Sequence, residues 1–86
     1  MTALQTYRTG GMTRYDYLSS IRSTLESLAA KGVAEQELRD LVVYEDILRL
    51  RSEGLKMEYC VYYAGERYGR SESSVWRLIR RMREAI

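Results

Sequence analysis

The sequence predicts an all-α domain of four helices, the last two arranged as a helix-turn-helix. Three observations carry this expectation. There is no proline among the 86 residues, and stretches rich in Leu, Glu and Arg are broken only by short glycine-containing segments. Apolar residues recur at intervals of three and four, the period of a helix face. Near the end, a glycine and a serine separate two such stretches, and the second carries arginine on one side only. A chain of this length makes one domain with a small core, so most of its apolar residues are expected inside.

Residues 1–12 are polar, include Gly10 and Gly11, and are expected to form a flexible tail; residues 13–86 are expected to form the domain. The first helix is predicted from Thr13 to Lys31. Thr13 and Asp16 have capping-box spacing, and Gly32 suits the position just past the end. Leu18, Ile21, Leu25 and Leu28 should face the core, with Tyr17 extending that face. The second helix is predicted from Ala34 to Glu53. It lacks a Ser, Thr, Asp or Asn cap, but Glu35 and Glu37 suit the positive end of its dipole. Leu38, Leu41, Val42, Val43, Tyr44, Ile47, Leu48 and Leu50 wrap more than half of it. So wide an apolar surface makes it either the central helix of the bundle or a dimer surface. Glu35, Arg39, Asp46, Arg49 and Glu53 read as a solvated stripe, with the pairs Glu35–Arg39, Glu45–Arg49 and Arg49–Glu53 spaced to interact. Gly54 ends the helix. A third helix is predicted from Met57 to Tyr68 and a fourth from Glu72 to Ala85, so the helix-turn-helix occupies residues 57–85.

Composition narrows the function. With no histidine, the commonest general base, His-based metal sites and Ser-His or Cys-His nucleophile pairs are all unavailable to this chain. Lys31 and Lys56 sit beside helix ends with no catalytic partner. No enzymatic activity, cofactor or small-molecule substrate is expected. No 18-residue apolar run exists, so no membrane span is expected, and residues 1–12 lack the pattern of a signal peptide. The single cysteine, Cys60, suits a reducing cytoplasm and reads as a small buried hydrophobe.

The net charge is only +2, but it is unevenly spread. Residues 1–66 hold 8 basic and 10 acidic side chains; residues 67–86 hold Arg67, Arg70, Arg77, Arg80, Arg81 and Arg83 against Glu72 and Glu84. Arginine forks onto phosphate and guanine, so this asymmetry points to a localised anionic partner.

A helix-turn-helix makes specific demands. Its helices cross closely, and Gly65 with Ala64 supplies small residues at the crossing. Its turn needs a residue tolerant of positive φ, which Gly69 supplies. Its second helix needs a cap, and Ser71 is placed for that, with Glu72 in the first turn. Val75, Leu78, Ile79 and Met82 then face inward at i, i+3, i+4 and i+7, leaving Ser73, Arg77, Arg80, Arg81 and Glu84 outward. The same residues resemble the general helix-turn-helix pattern of bacterial and phage transcription regulators. With Val43, Tyr44, Glu45, Asp46 and the break at Gly54, residues 43–83 more narrowly resemble the C-terminal domain of Mor-type phage transcription activators. Gly65 stands where that pattern usually has alanine, and Arg70 where it usually has an apolar residue. The resemblance implies that Glu72 to Arg83 is a recognition helix and that the protein acts as a dimer.

The expected partner is therefore double-stranded DNA, with a homodimer through the second helix. Ser73, Arg77 and Arg81 are expected in the major groove, with Arg77 placed for a bidentate guanine contact. Arg80, Arg83 and Arg70 are expected against phosphates, as are Ser71 and Ser74 at the helix N-terminus. Trp76 either packs against the third helix at the edge of the core or lies against a sugar or base edge. Tyr59, Tyr62, Tyr63 and Tyr68 read as core side chains with hydroxyls reaching water, or else as a stacking surface. Arg8 and Arg14 are placed on a tail that either is disordered or reaches a minor groove. The competing reading is a helical protein–protein interaction module built on the second helix and the arginines.

Overall fold

The computed structural model describes residues 11–86, and all its regular elements there are helical: α1 (Arg14–Ser20), α2 (Arg22–Ala29), α3 (Glu35–Ser52), α4 (Met57–Tyr68) and α5 (Glu72–Met82). The expectations for the tail over residues 1–10, Arg8 included, lie outside the described residues.

Five helices replace the expected four because the first breaks at Ile21, whose φ of −112° and ψ of 26° leave the helical region. The Ser20 hydroxyl donates to the Tyr17 carbonyl at 2.6 Å. Such a bond competes with the backbone ladder where a β-branched residue follows. The break shifts the phase of the apolar stripe. Leu18 and Leu25 are buried and Ile21 is partly so, but Tyr17 and Leu28 face water. The capping box forms as expected, with the Thr13 amide donating to Asp16 at 2.9 Å and the Asp16 amide to the Thr13 hydroxyl at 3.1 Å.

Helix α3 packs against all four other helices, which makes it the central helix. Leu41, Val43, Tyr44, Ile47 and Leu50 are buried on several of its sides, whereas Val42 is 40% exposed. Its N-terminal boundary residue, Ala34, takes the left-handed conformation at φ 58°. Without a side-chain cap, the entry angle of this helix costs roughly 1 kcal/mol of backbone strain. The solvated stripe is only partly ordinary. Glu35–Arg39 and Arg49–Glu53 pair as expected, but Glu45 pairs with Arg22 of α2. Asp46 keeps only 11% side-chain exposure.

Helix α5 ends at Met82 rather than Ala85. The chain then turns back: the Arg14 amide donates to the Glu84 carbonyl at 2.8 Å, and the Ile86 amide to the Met12 carbonyl at 3.1 Å. Thr13 and Ala85 form an isolated antiparallel bridge. Met12 and Arg14, placed on the tail by the sequence reading, are thus held at the end of α5. No described helix is long and apolar enough to cross a membrane.

Candidate nucleic-acid interface

Helices α4 and α5 meet through a turn built as the sequence demands. Gly69 ends α4 in the left-handed conformation at φ 66°, and the amides of Gly69 and Arg70 both turn back to the Gly65 carbonyl. Gly65 is buried beneath that turn. A Cβ there would lie 2.7 Å from the Arg70 carbonyl oxygen, so even alanine would push the turn away. Glycine stands at this position because the backbone of the turn occupies the space of a side chain. The Ser71 hydroxyl caps α5, accepting from the Ser74 amide at 3.1 Å, with the Ser73 hydroxyl 3.3 Å away. Val75, Leu78, Ile79 and Met82 are all buried as expected.

The six arginines of residues 67–86 divide into two groups. Arg70 in the turn donates to Asp40 Oδ1 at 2.9 Å, and Arg81 on α5 donates to Asp40 Oδ2 at 3.0 Å. Asp40 lies on α3, is 7% exposed, and also accepts from Gln36 at 2.8 Å. The turn and α5 are both fastened to the central helix through this one carboxylate. Arg70, expected at a phosphate, has only 18% of its side chain exposed, while Arg81, expected in a groove, keeps 49%. Arg67 is engaged as well: it donates to the Tyr63 hydroxyl at 3.2 Å, lies 3.7 Å from Asp46 and stands over the Tyr68 ring. Among the described residues, Arg77, Arg80 and Arg83 have no carboxylate within salt-bridge distance. All three are exposed, as is Ser73, while Ser74 is half-buried.

Two further groups tie α4 to α3. The Tyr68 hydroxyl donates to Asp46 Oδ2 at 2.9 Å. Burial pushes the Asp46 carboxyl up, but hydrogen bonds from Arg49 and Tyr68 and the charges of Arg49 and Arg67 outweigh it and hold the group below the ordinary aspartate value. Burial and then the bond to Asp46 push the Tyr68 phenol up. Cys60 is fully buried, and burial pushes its thiol up as well, away from the thiolate form.

Trp76 is 40% exposed and lines a shallow groove on α5 with the buried Ile79 and with Arg80, Arg83 and Glu84. Tyr59 and Tyr62 are exposed, at 51% and 53%, with Tyr59 stacked on Tyr63. Tyr63 and Tyr68 pack against the core, and Tyr68 also bonds to α3.

Asp40 is the residue the sequence reading passed over. Its signal was positional: it stands four residues before Tyr44 and seven before Ile47, in register with the core. A carboxylate in that register needs a charged partner. Which arginine it would find, some thirty or forty residues away, was not readable.

No protein-family model, curated protein or solved structure matches this chain.

Proposed function

We propose that this protein binds double-stranded DNA through a helix-turn-helix formed by α4, the turn at Gly69-Arg70-Ser71 and α5, and that it acts as a small transcription regulator rather than an enzyme. The observation that carries the reading is the exposed trio Arg77, Arg80 and Arg83, left without carboxylate partners among the described residues on a helix whose neighbouring arginines are all paired. A face meant only for water mixes its charges, as Arg49 does with Asp46 and Glu53 on α3. An unneutralised arginine face on a helix whose other side is buried suits a polyanion.

Geometry is compatible. An α-helix with its side chains is about 10–12 Å across, and the major groove is about 12 Å wide. Arg77 is assigned to base edges, with Ser73 beside it, and Arg80 and Arg83 to flanking phosphates. Ser71 acts mainly as the cap, and Arg70 and Arg81 hold the helix in place, Arg81 keeping an exposed edge toward the partner. A homodimer would use what α3 leaves uncovered: an apolar cleft lined by Leu38, Val42, Val43 and Tyr68, with Arg39 and Arg70 at its rim. That same cleft is the observation favouring the second reading, a protein–protein interaction module.

Fluorescence anisotropy with labelled random-sequence duplex at low salt separates the two. Binding that weakens steeply with added salt is the expected result. An absence of binding to any duplex would sink the DNA reading and leave the interaction module.

A further inference from the structure

Trp76 is a large apolar ring left in water on the face that the arginines occupy. Counting about 100° per residue around α5, Ser73 and Arg80 lie in the middle of the exposed face. Arg81 is at one edge, drawn toward Asp40, and Trp76 and Arg83 are at the other. The indole keeps 40% of its surface exposed, in the groove it shares with Arg80, Arg83 and Glu84. Arg80 and Arg83 leave this groove net positive, since Glu84, which shares it, lies 3.9 Å from Arg14; an anionic surface with an apolar group near its middle suits it.

We propose that Trp76 is a specificity-determining residue that reads the C5-methyl group of thymine in the major groove, an assignment resting on the DNA-binding reading above. Phosphate oxygens are met by arginine, and the C–H faces of deoxyribose are the same in every sequence. The bases in the major groove present hydrogen-bonding atoms and a single apolar group, the thymine methyl. An indole face between two phosphate-directed arginines therefore finds its only sequence-dependent apolar contact there. Arg77, the next residue along, is placed for a neighbouring guanine, so the preferred site combines a G·C pair with adjacent thymine.

The test uses the full chain and a random-sequence duplex pool enriched by repeated binding. The enriched sequences are resynthesised with deoxyuridine in place of thymine, which removes only the methyl. The wild-type protein is expected to bind the uracil duplex about fourfold more weakly for each contacted methyl. Trp76→Ala is expected to bind both duplexes alike, and Trp76→Phe to keep part of the difference. Trp76 is the only tryptophan, so its emission should change on binding and reports on this position alone. Circular dichroism checks that Trp76→Ala folds, as its exposure favours. If the wild type binds duplex but ignores the methyl, or if Trp76→Ala keeps the full discrimination, the assignment of Trp76 is wrong while DNA binding stands. If no duplex binds, and the emission changes instead with protein concentration, both readings fall and a second copy covers the ring.

Discussion

Arg70 and Arg81 carry the same side chain as Arg77 and Arg80, yet the structure puts them to opposite uses. The first two converge on Asp40, a carboxylate set into the central helix. The second two, with Arg83, stand in water without a carboxylate partner among the described residues. A high arginine count is thus two populations: one fixes where α5 sits, and the other is left to meet something else. The charge excess of residues 67–86 overstates what is available to a partner, because a part of it is already neutralised within the fold.

The strongest way to break this division is to remove the shared anchor. Asp40→Ala leaves two guanidinium groups facing a space built for a carboxylate. It should lower stability in urea denaturation by about 2–3 kcal/mol, below the usual range for a fully buried pair because Arg81 is half-exposed. Asp40→Asn, which keeps a hydrogen-bond acceptor, should lose less. A loss under about 0.5 kcal/mol for Asp40→Ala would mean that the clamp is no more than a surface pair. The opposite behaviour is expected of Arg77. Arg77→Ala should leave stability within about 0.5 kcal/mol but weaken binding to a selected duplex by about 1–3 kcal/mol. Equal weakening on every sequence would show a phosphate contact in place of a base contact.

Salt titration sharpens the comparison further. Arg80→Ala and Arg83→Ala should each reduce the slope of log K against log salt by about 1, and Arg70→Ala should leave it nearly unchanged. If Arg70→Ala lowers the slope as much as the others, the division fails. The smallest effect concerns the second acidic anchor. Asp46 is held below the ordinary aspartate value and Tyr68 above the ordinary tyrosine value. Their bond therefore stabilises the fold between about pH 4 and pH 10, and its contribution is lost as the pH falls through the Asp46 value or rises through that of Tyr68. Tyr68→Phe should be less stable by up to ~1 kcal/mol at neutral pH. The gap between variant and wild type should close below pH 4. A gap independent of pH would assign the loss to packing.

Much of the α4–α5 unit was legible in the sequence because local chemistry dictates it. Gly69 and Ser71 act within a few residues of themselves, and the inward register of Val75, Leu78, Ile79 and Met82 follows from one helical period. The misreadings are of two kinds. Some come from competition at one residue: Ser20 adds a second donor to the Tyr17 carbonyl, and Ile21 breaks a helix whose apolar pattern ran straight through it. The others come from partners distant in sequence. Periodicity places Asp46 on a polar stripe, but Tyr68 arrives from α4 to cover it. Asp40 is chosen by arginines two helices away. Residue type left Trp76 between the core edge and the outer face, and it stands 40% exposed on α5. The apolar surface of α3 posed a choice between central helix and dimer surface; the four helices around it answer for the central position, with Val42 as the part they do not cover.

The pairing of Thr13 with Ala85 completes a set of three fastenings of α5 to the fold: Arg70 on Asp40 just before its start, Arg81 on Asp40 along its length, and this bridge just past its end. A helix pinned at its two extremities and once between has little freedom left to rock or fray. The orientational entropy it would otherwise surrender on meeting a partner is therefore surrendered during folding. Binding through such a helix should be lock-like, with the protein nearly unchanged and any deformation falling on the other molecule.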